Sequence, residues 1–259
     1  MSAGTTQRAP RPPVDPRIRA RWIAARRAEG RRRLKVAVVI TSVVLIGVAV
    51  WVVLASPLLD VDRVVVRGAH RSTAQEIRSA AGIDRGDPMV WVDGGAAASR
   101  VDALPWVRTA QVRRDWPGTV TITVTERAPV AWVDRAGAVA LVDGTGRVLE
   151  RVVSAPADLP HVVGVQRVPP AGAPIVPVAG AEVAARLVGY ARTGTRTITV
   201  TRAGVSLGLA SGPEIRLGAP SRVMTKVNAA VAVLTALGGA PVGYVDVTVP
   251  SNPVAGPPG

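Results

Sequence analysis

The chain has 259 residues and a formal net charge of +14, from 32 Lys and Arg against 18 Asp and Glu. It holds no cysteine and only two histidines, which excludes disulfide staples, thiolate metal sites and cysteine nucleophiles. Its length suffices for one or two modest cores held by ordinary burial.

Eleven basic residues, from Arg8 to Lys35, precede Val36 against only Asp15 and Glu29, and so supply nine of the fourteen net charges. Residues 1–16 are polar and proline-rich and are expected to be disordered. Residues 17–33 are expected to form a basic helix, within a tail spanning 1–35. Val36 to Leu54 (VAVVITSVVLIGVAVWVVL) then gives nineteen positions without charge or proline. At about 1.5 Å rise per residue this run covers roughly 28 Å, close to the roughly 30 Å hydrocarbon core of a bilayer. Backbone groups in hydrocarbon must pair within their own segment, so one membrane-spanning helix is predicted over 36–56. The positive flank places the N-terminus in the cytoplasm and the larger part outside, a single-pass type II arrangement. Val53-Leu54-Ala55 resembles a cleavage site, so a removed signal peptide is the rival; the long leader and long apolar run favour a retained anchor. The basic segment reads as a topology determinant against the inner leaflet, in preference to a nucleic-acid-binding arm.

Beyond the span, VDRVVVR at Val61–Arg67 has the valine content of a strand, ended by Gly68. Thr73 with Glu76 makes a capping box for a short helix carrying Ile77 and Ala80 on one face and closed by Gly82. Asp93 is expected to cap a second helix running to about Asp102, stopped before Pro105. Trp106–Arg114 alternates as a strand. Trp116-Pro117-Gly118 reverses the chain, and Thr119–Glu126 places Val120, Ile122 and Val124 on one face. The order β-α-α-β-β describes a small α+β module over about 59–127. From 128 to 250 the pattern changes to strands at Val130–Val133, Ala138–Val142 and Arg147–Val152, an irregular proline-rich stretch Pro156–Pro177, and a helix near Ala181–Tyr190 burying Val183, Leu187 and Tyr190. Strands follow at Thr197–Arg202, Val205–Leu209 and Glu214–Leu217. A helix capped by Ser221 then runs to Leu237, with Val223, Val227, Val231 and Leu234 on its buried face. A last strand is expected at Val242–Val249, followed by a disordered tail at 251–259.

Chemistry-bearing patterns are sparse. Gly204-Val205-Ser206-Leu207-Gly208 fits a nucleophile-elbow pattern but lacks a following helix and a later histidine. His70 and His161 are far apart, with no acidic neighbour at metal-ligand spacing. No catalytic, cofactor or metal site is expected, and the chain does not read as an enzyme. Glu126 and Arg127, adjacent in a strand, point to opposite faces and are read as solvated or bridging residues at the module junction. Trp106 and Trp116 are read as core or turn-packing residues, and Trp51 as an interfacial anchor.

VVVRG at Val64–Gly68, Glu76-Ile77, LPWV at Leu104–Val107 and VRRDWPGTVTITVTERAPVAWV at Val112–Val133 follow the basic tail and anchor in order. DGTGRVL at Asp143–Leu149, EIRLG at Glu214–Gly218, Lys226, and YVDVTVP at Tyr244–Pro250 continue the series. This ordered set resembles the bacterial FtsQ/DivIB cell-division family, whose first exported module is a POTRA domain. The resemblance implies a scaffold at the division septum that joins FtsB and FtsL and helps recruit and regulate septal peptidoglycan synthesis, with FtsW and FtsI as further partners. It also implies that the last strand, Tyr244, Val245, Asp246, Val247, Thr248 and Val249, presents an open edge to a partner. The alternative is another membrane-anchored POTRA protein that chaperones or transports exported polypeptides. Against it, no series of alternating barrel strands follows.

Overall fold

The computed structural model describes residues 16–54, 59–190 and 194–258. Of the tail expected to be disordered at 1–16, residues 1–15 lie outside them, and Pro16 instead begins the first helix. The described residues fall into two compact units, divided between Leu59 and Asp60.

The first unit is helix α1, Pro16–Leu54, which joins the basic segment and the apolar run in one helix of 39 residues. Within it, Arg33–Val52 is long and apolar enough to cross a membrane.

The second unit begins with β1 (Arg63–Arg67), α2 (Ala74–Ala81), a 3-10 turn at Met89–Trp91, α3 (Gly94–Asp102), β2 (Val107–Asp115) and β3 (Thr119–Glu126). Three caps expected in this module are present: the Thr73 side chain accepts from Glu76 N, Asp93 accepts from Gly95 N and Ala96 N, and Gly82 ends α2 in the left-handed conformation that glycine adopts without strain. The sheet order β1-β3-β2 puts β3 in the centre, parallel to β1 and antiparallel to β2. Val120, Ile122 and Val124 meet Ile77, Ala81, Ala97 and Val101 of the two helices in one core. Burying each such valine or isoleucine contributes about 1.5–3 kcal/mol against leaving it in water. Ala80, expected on the buried face, is half-buried, and its neighbour Ala81 takes the core position.

A nine-stranded sheet follows, built from β4 (Pro129–Arg135), β5 (Ala138–Asp143), β6 (Val148–Val152), β7 (His161–Val163), β8 (Thr195–Thr201), β9 (Gly204–Leu209), β10 (Glu214–Gly218), β11 (Tyr244–Asp246) and β12 (Val254–Gly256). Helices α4 (Ala179–Leu187) and α5 (Val223–Ala236) accompany it. The strand order is β12-β11-β10-β9-β8-β7-β4-β5-β6. The register lines up Val133, Val162, Ile198, Leu207, Ile215 and Val245 in one row, all fully buried in the core that holds α4 and α5. Side chains alternate across a sheet, so the neighbouring row Trp132, His161, Thr197, Gly208, Glu214, Tyr244 and Gly256 lies on the other face.

Five expectations are corrected. The proline-rich stretch Pro156–Pro177 contains β7, a central strand parallel to both β4 and β8; three residues between Pro160 and Gly164 are too short to show a period. Ser221 does not cap α5: the N-cap is Arg222, at φ 50° and without a side-chain hydrogen bond. Tyr190 lies beyond α4, half-buried, where its hydroxyl donates to Asn228 Oδ1 at 2.6 Å. The last strand is cut to Tyr244–Asp246, and the tail expected to be disordered carries β12, which pairs antiparallel with β11.

Candidate functional site

Three places gather polar chemistry: the junction between the two sheets, a buried lysine, and the C-terminal end of the large sheet.

At the junction, Glu126 and Arg127 diverge as adjacent strand residues must. Glu126 accepts from the backbone N–H groups of His70, Arg71 and Ser72 at 2.9–3.0 Å, pinning the loop between β1 and α2. Desolvation pushes its pKa up, but these three donors outweigh it and hold the carboxyl below its ordinary 4.5. Arg127 reaches the other way. Its Nη1 donates to Asp143 Oδ2 at 2.6 Å, its Nε to Val107 O at 2.9 Å, and its backbone N to Trp106 O. Asp143 is 5 % exposed and also accepts from Thr145 N, Thr145 Oγ1 and Arg147 N. Burial raises its pKa, but the Thr145, Arg127 and Arg147 donors prevail and hold it below 3.8. Arg147 Nη2 crosses back to Ala103 O at 2.9 Å. Trp106 is buried with Leu141 and Leu149 from the second sheet, as its core reading expected. The module junction is a bonded joint, bridged by Arg127 from one side and Arg147 from the other.

Lys226 is 2 % exposed, on α5. Its Nζ donates to Leu217 O at 2.7 Å and Ala219 O at 2.8 Å, closing the carbonyls where β10 ends. Desolvation and the nearby Arg222 lower its pKa, against the opposing pull of Asp246. Sequence reading placed Lys226 in the series of motifs but gave no sign of this burial.

At the C-terminal end, Val245 and Val247 are fully buried, and Val247 N donates to Arg216 O at 3.0 Å. Tyr244 and Asp246 face the other way, half-buried, with the Arg216 guanidinium 3.8 Å over the Tyr244 ring. Thr248 and Val249 are exposed and outside any strand; Thr248 N is taken by Asp246 Oδ1 at 2.9 Å. The expectation of an open edge at Tyr244–Val249 is therefore corrected. β10 lies on one side of β11 and β12 on the other, so the sheet edge is β12, where Val254 is 52 % exposed. The Tyr244 ring lies over Gly256, where any added Cβ would collide with it. This close approach, which only glycine permits, seats β12.

The remaining candidates do not converge. Ser206 lies within β9, in register with Thr199 and Arg216, and not at a strand-to-helix elbow. His70 lies in the loop held by Glu126. His161 stacks on Trp132 at 3.8 Å and pairs with Asp134 at 2.7 Å, a neighbour that only strand pairing brings near. Among the described residues no group of three or more His, Cys, Asp or Glu is placed to hold a metal ion.

Residues 59–127 match the family model for the FtsQ-type POTRA domain, and residues 130–248 match the model for the C-terminal part of cell division protein FtsQ/DivIB. Cell division protein FtsQ of Streptomyces collinus is 33 % identical over 251 residues, covering 91 % of each chain. The chain belongs to the FtsQ/DivIB family. The FtsQ of Streptomyces bingchenggensis is 32 % identical over 229 residues, 86 % of this chain and 85 % of that one. The FtsQ of Corynebacterium glutamicum is 35 % identical over 112 residues, 43 % of this chain and 49 % of that one. The first sheet with its helices is thus a POTRA domain, and the chain has a role in bacterial cell division.

Proposed function

We propose that this protein is a membrane-anchored, non-enzymatic scaffold of the division septum. In this reading α1 holds it in the cell membrane with the N-terminus inside, and the second unit collects other division proteins outside. FtsB and FtsL are the partners, and through them septal peptidoglycan synthesis by FtsW and FtsI is recruited and regulated. The observation that carries the reading is the likeness to FtsQ proteins along 91 % of the chain. The sheet edge supports it: β12 presents backbone donors and acceptors that an extended partner segment can extend by one strand. Tyr244 and Asp246 flank this edge on the face opposite the core and add selectivity, while buried Val245 and Val247 root it.

Two experiments test this. A fluorescent fusion should collect at division septa, and depletion should leave cells elongated and undivided; normal division on depletion overturns the function. Protease added to wall-stripped cells should remove residues beyond about 56 and spare the tail; a protected C-terminal part overturns the orientation.

A further inference from the structure

Two indoles of the second unit stand in solvent. Trp91 is 81 % exposed and Trp116 is 53 % exposed, which corrects the turn-packing reading of Trp116. Such rings carry large apolar area with one polar handle, which suits them to a boundary between water and an apolar phase.

Both sit beside the same short segment. Trp91 closes the turn Met89–Trp91, and Pro88 just before it bridges Asp60. Val61 N donates to Asp87 O at 2.8 Å, tying that loop further. Trp116 opens the turn to Gly118, whose carbonyl accepts from Asp62 N at 2.7 Å and Arg63 N at 3.1 Å. Residues 60–63 are thus bonded to both indole-bearing loops. They are also where the chain enters the POTRA domain from the apolar helix. Asp60 follows Leu54 by six residues, which even fully extended reach no more than about 21 Å.

Charge around this end is nearly balanced, with Arg63, Arg85, Arg113 and Arg114 exposed beside exposed Asp62, Asp84 and Asp115. That pattern gives a polyanion little to hold. Exposed indoles with arginine stems, on a short tether to a membrane span, suit the headgroup layer, where tryptophan concentrates and arginine snorkels.

We propose that Trp91 and Trp116 form an interfacial anchor that seats this end of the POTRA domain on the bilayer surface. The proposal rests on α1 spanning a membrane, though not on which side the second unit lies.

The test uses the full chain in nanodiscs of mixed phosphatidylcholine and phosphatidylglycerol, with plain or with shallowly brominated acyl chains. Bromine should quench indole emission in the wild type, and the quenchable part should fall about twofold in Trp91→Phe/Trp116→Phe. Equal quenching in wild type and double variant overturns the proposal. The chain has no cysteine, so a second measurement needs no tryptophan change: a dye on Asp115→Cys should be shielded from aqueous iodide relative to one on Arg202→Cys. Equal access at both positions overturns the proposal as well. With no other protein present, shielding reports lipid; indoles that stay in water until a division protein is added would mark a protein-docking surface instead, and overturn it. A chain that fails to enter nanodiscs overturns the anchor itself, whereas one that enters with unquenched Trp91 and Trp116 overturns this proposal alone.

Discussion

Two carboxylates, Asp143 across the junction and Glu126 on the loop between β1 and α2, give the second unit a definite pH response. Asp143 and Glu126 both have folded pKa values below their ordinary 3.8 and 4.5. The stability they add is therefore complete above those ordinary values and is lost as pH falls through the lower folded ones. A melting series from pH 7 downward should be flat until about pH 4 and then fall. Asp143→Asn should flatten the acid limb and lower the neutral melting point, since Arg127 loses its charged partner. Glu126→Ala should destabilise the second unit by about 1–3 kcal/mol in a denaturant titration, because three amides lose one acceptor. Lys226→Ala should cost about 2–4 kcal/mol, from a cavity plus two orphaned carbonyls. Sequence reading found the divergence of Glu126 and Arg127 from strand alternation alone. It did not find Asp143 or the burial of Lys226, because those depend on which loop and which strand end fold back against them.

Elements with their own local signal were legible, and those made by distant pairing were not. The caps at Thr73 and Asp93 and the alternation of Thr119–Glu126 involve residues within four positions, so the sequence carries them directly. β7 and β12 are three residues each, too short to show a period of their own; β7 exists because the longer β4 and β8 pair with it, and β12 because β11 does. The edge was misplaced for this reason: VGYVDVTV looks like an ending strand, whereas VAG between prolines looks like a tail. Gly256 is the residue that decides it. Gly256→Val should push the Tyr244 ring aside and release β12, seen as faster amide exchange at Tyr244–Asp246 with protection of the POTRA sheet unchanged. Unaltered exchange at Tyr244–Asp246 in Gly256→Val would remove the role given to this close approach.

At the scale of the molecule, the β-α-α-β-β order and the strand-rich second part were readable from the chain, and the joint between them was not. We expect residues 59–127 to fold alone with a cooperative transition, since their core is complete. Their melting point should be lower than within the whole second unit, because Trp106 loses Leu141 and Leu149 and Arg127 loses Asp143. The central claim is that the β12 edge receives a partner strand. Successive N–H groups of a strand point in opposite directions, so of Val254→Pro and Ala255→Pro one deletes an outward donor and the other an inward one. The measurement is a titration of the exported segments of FtsB and FtsL against the full chain carrying each substitution, with a melting curve for each. The outward-facing variant should bind at least about tenfold more weakly while melting like the wild type. Wild-type affinity in both variants, each fully folded, would contradict the claim.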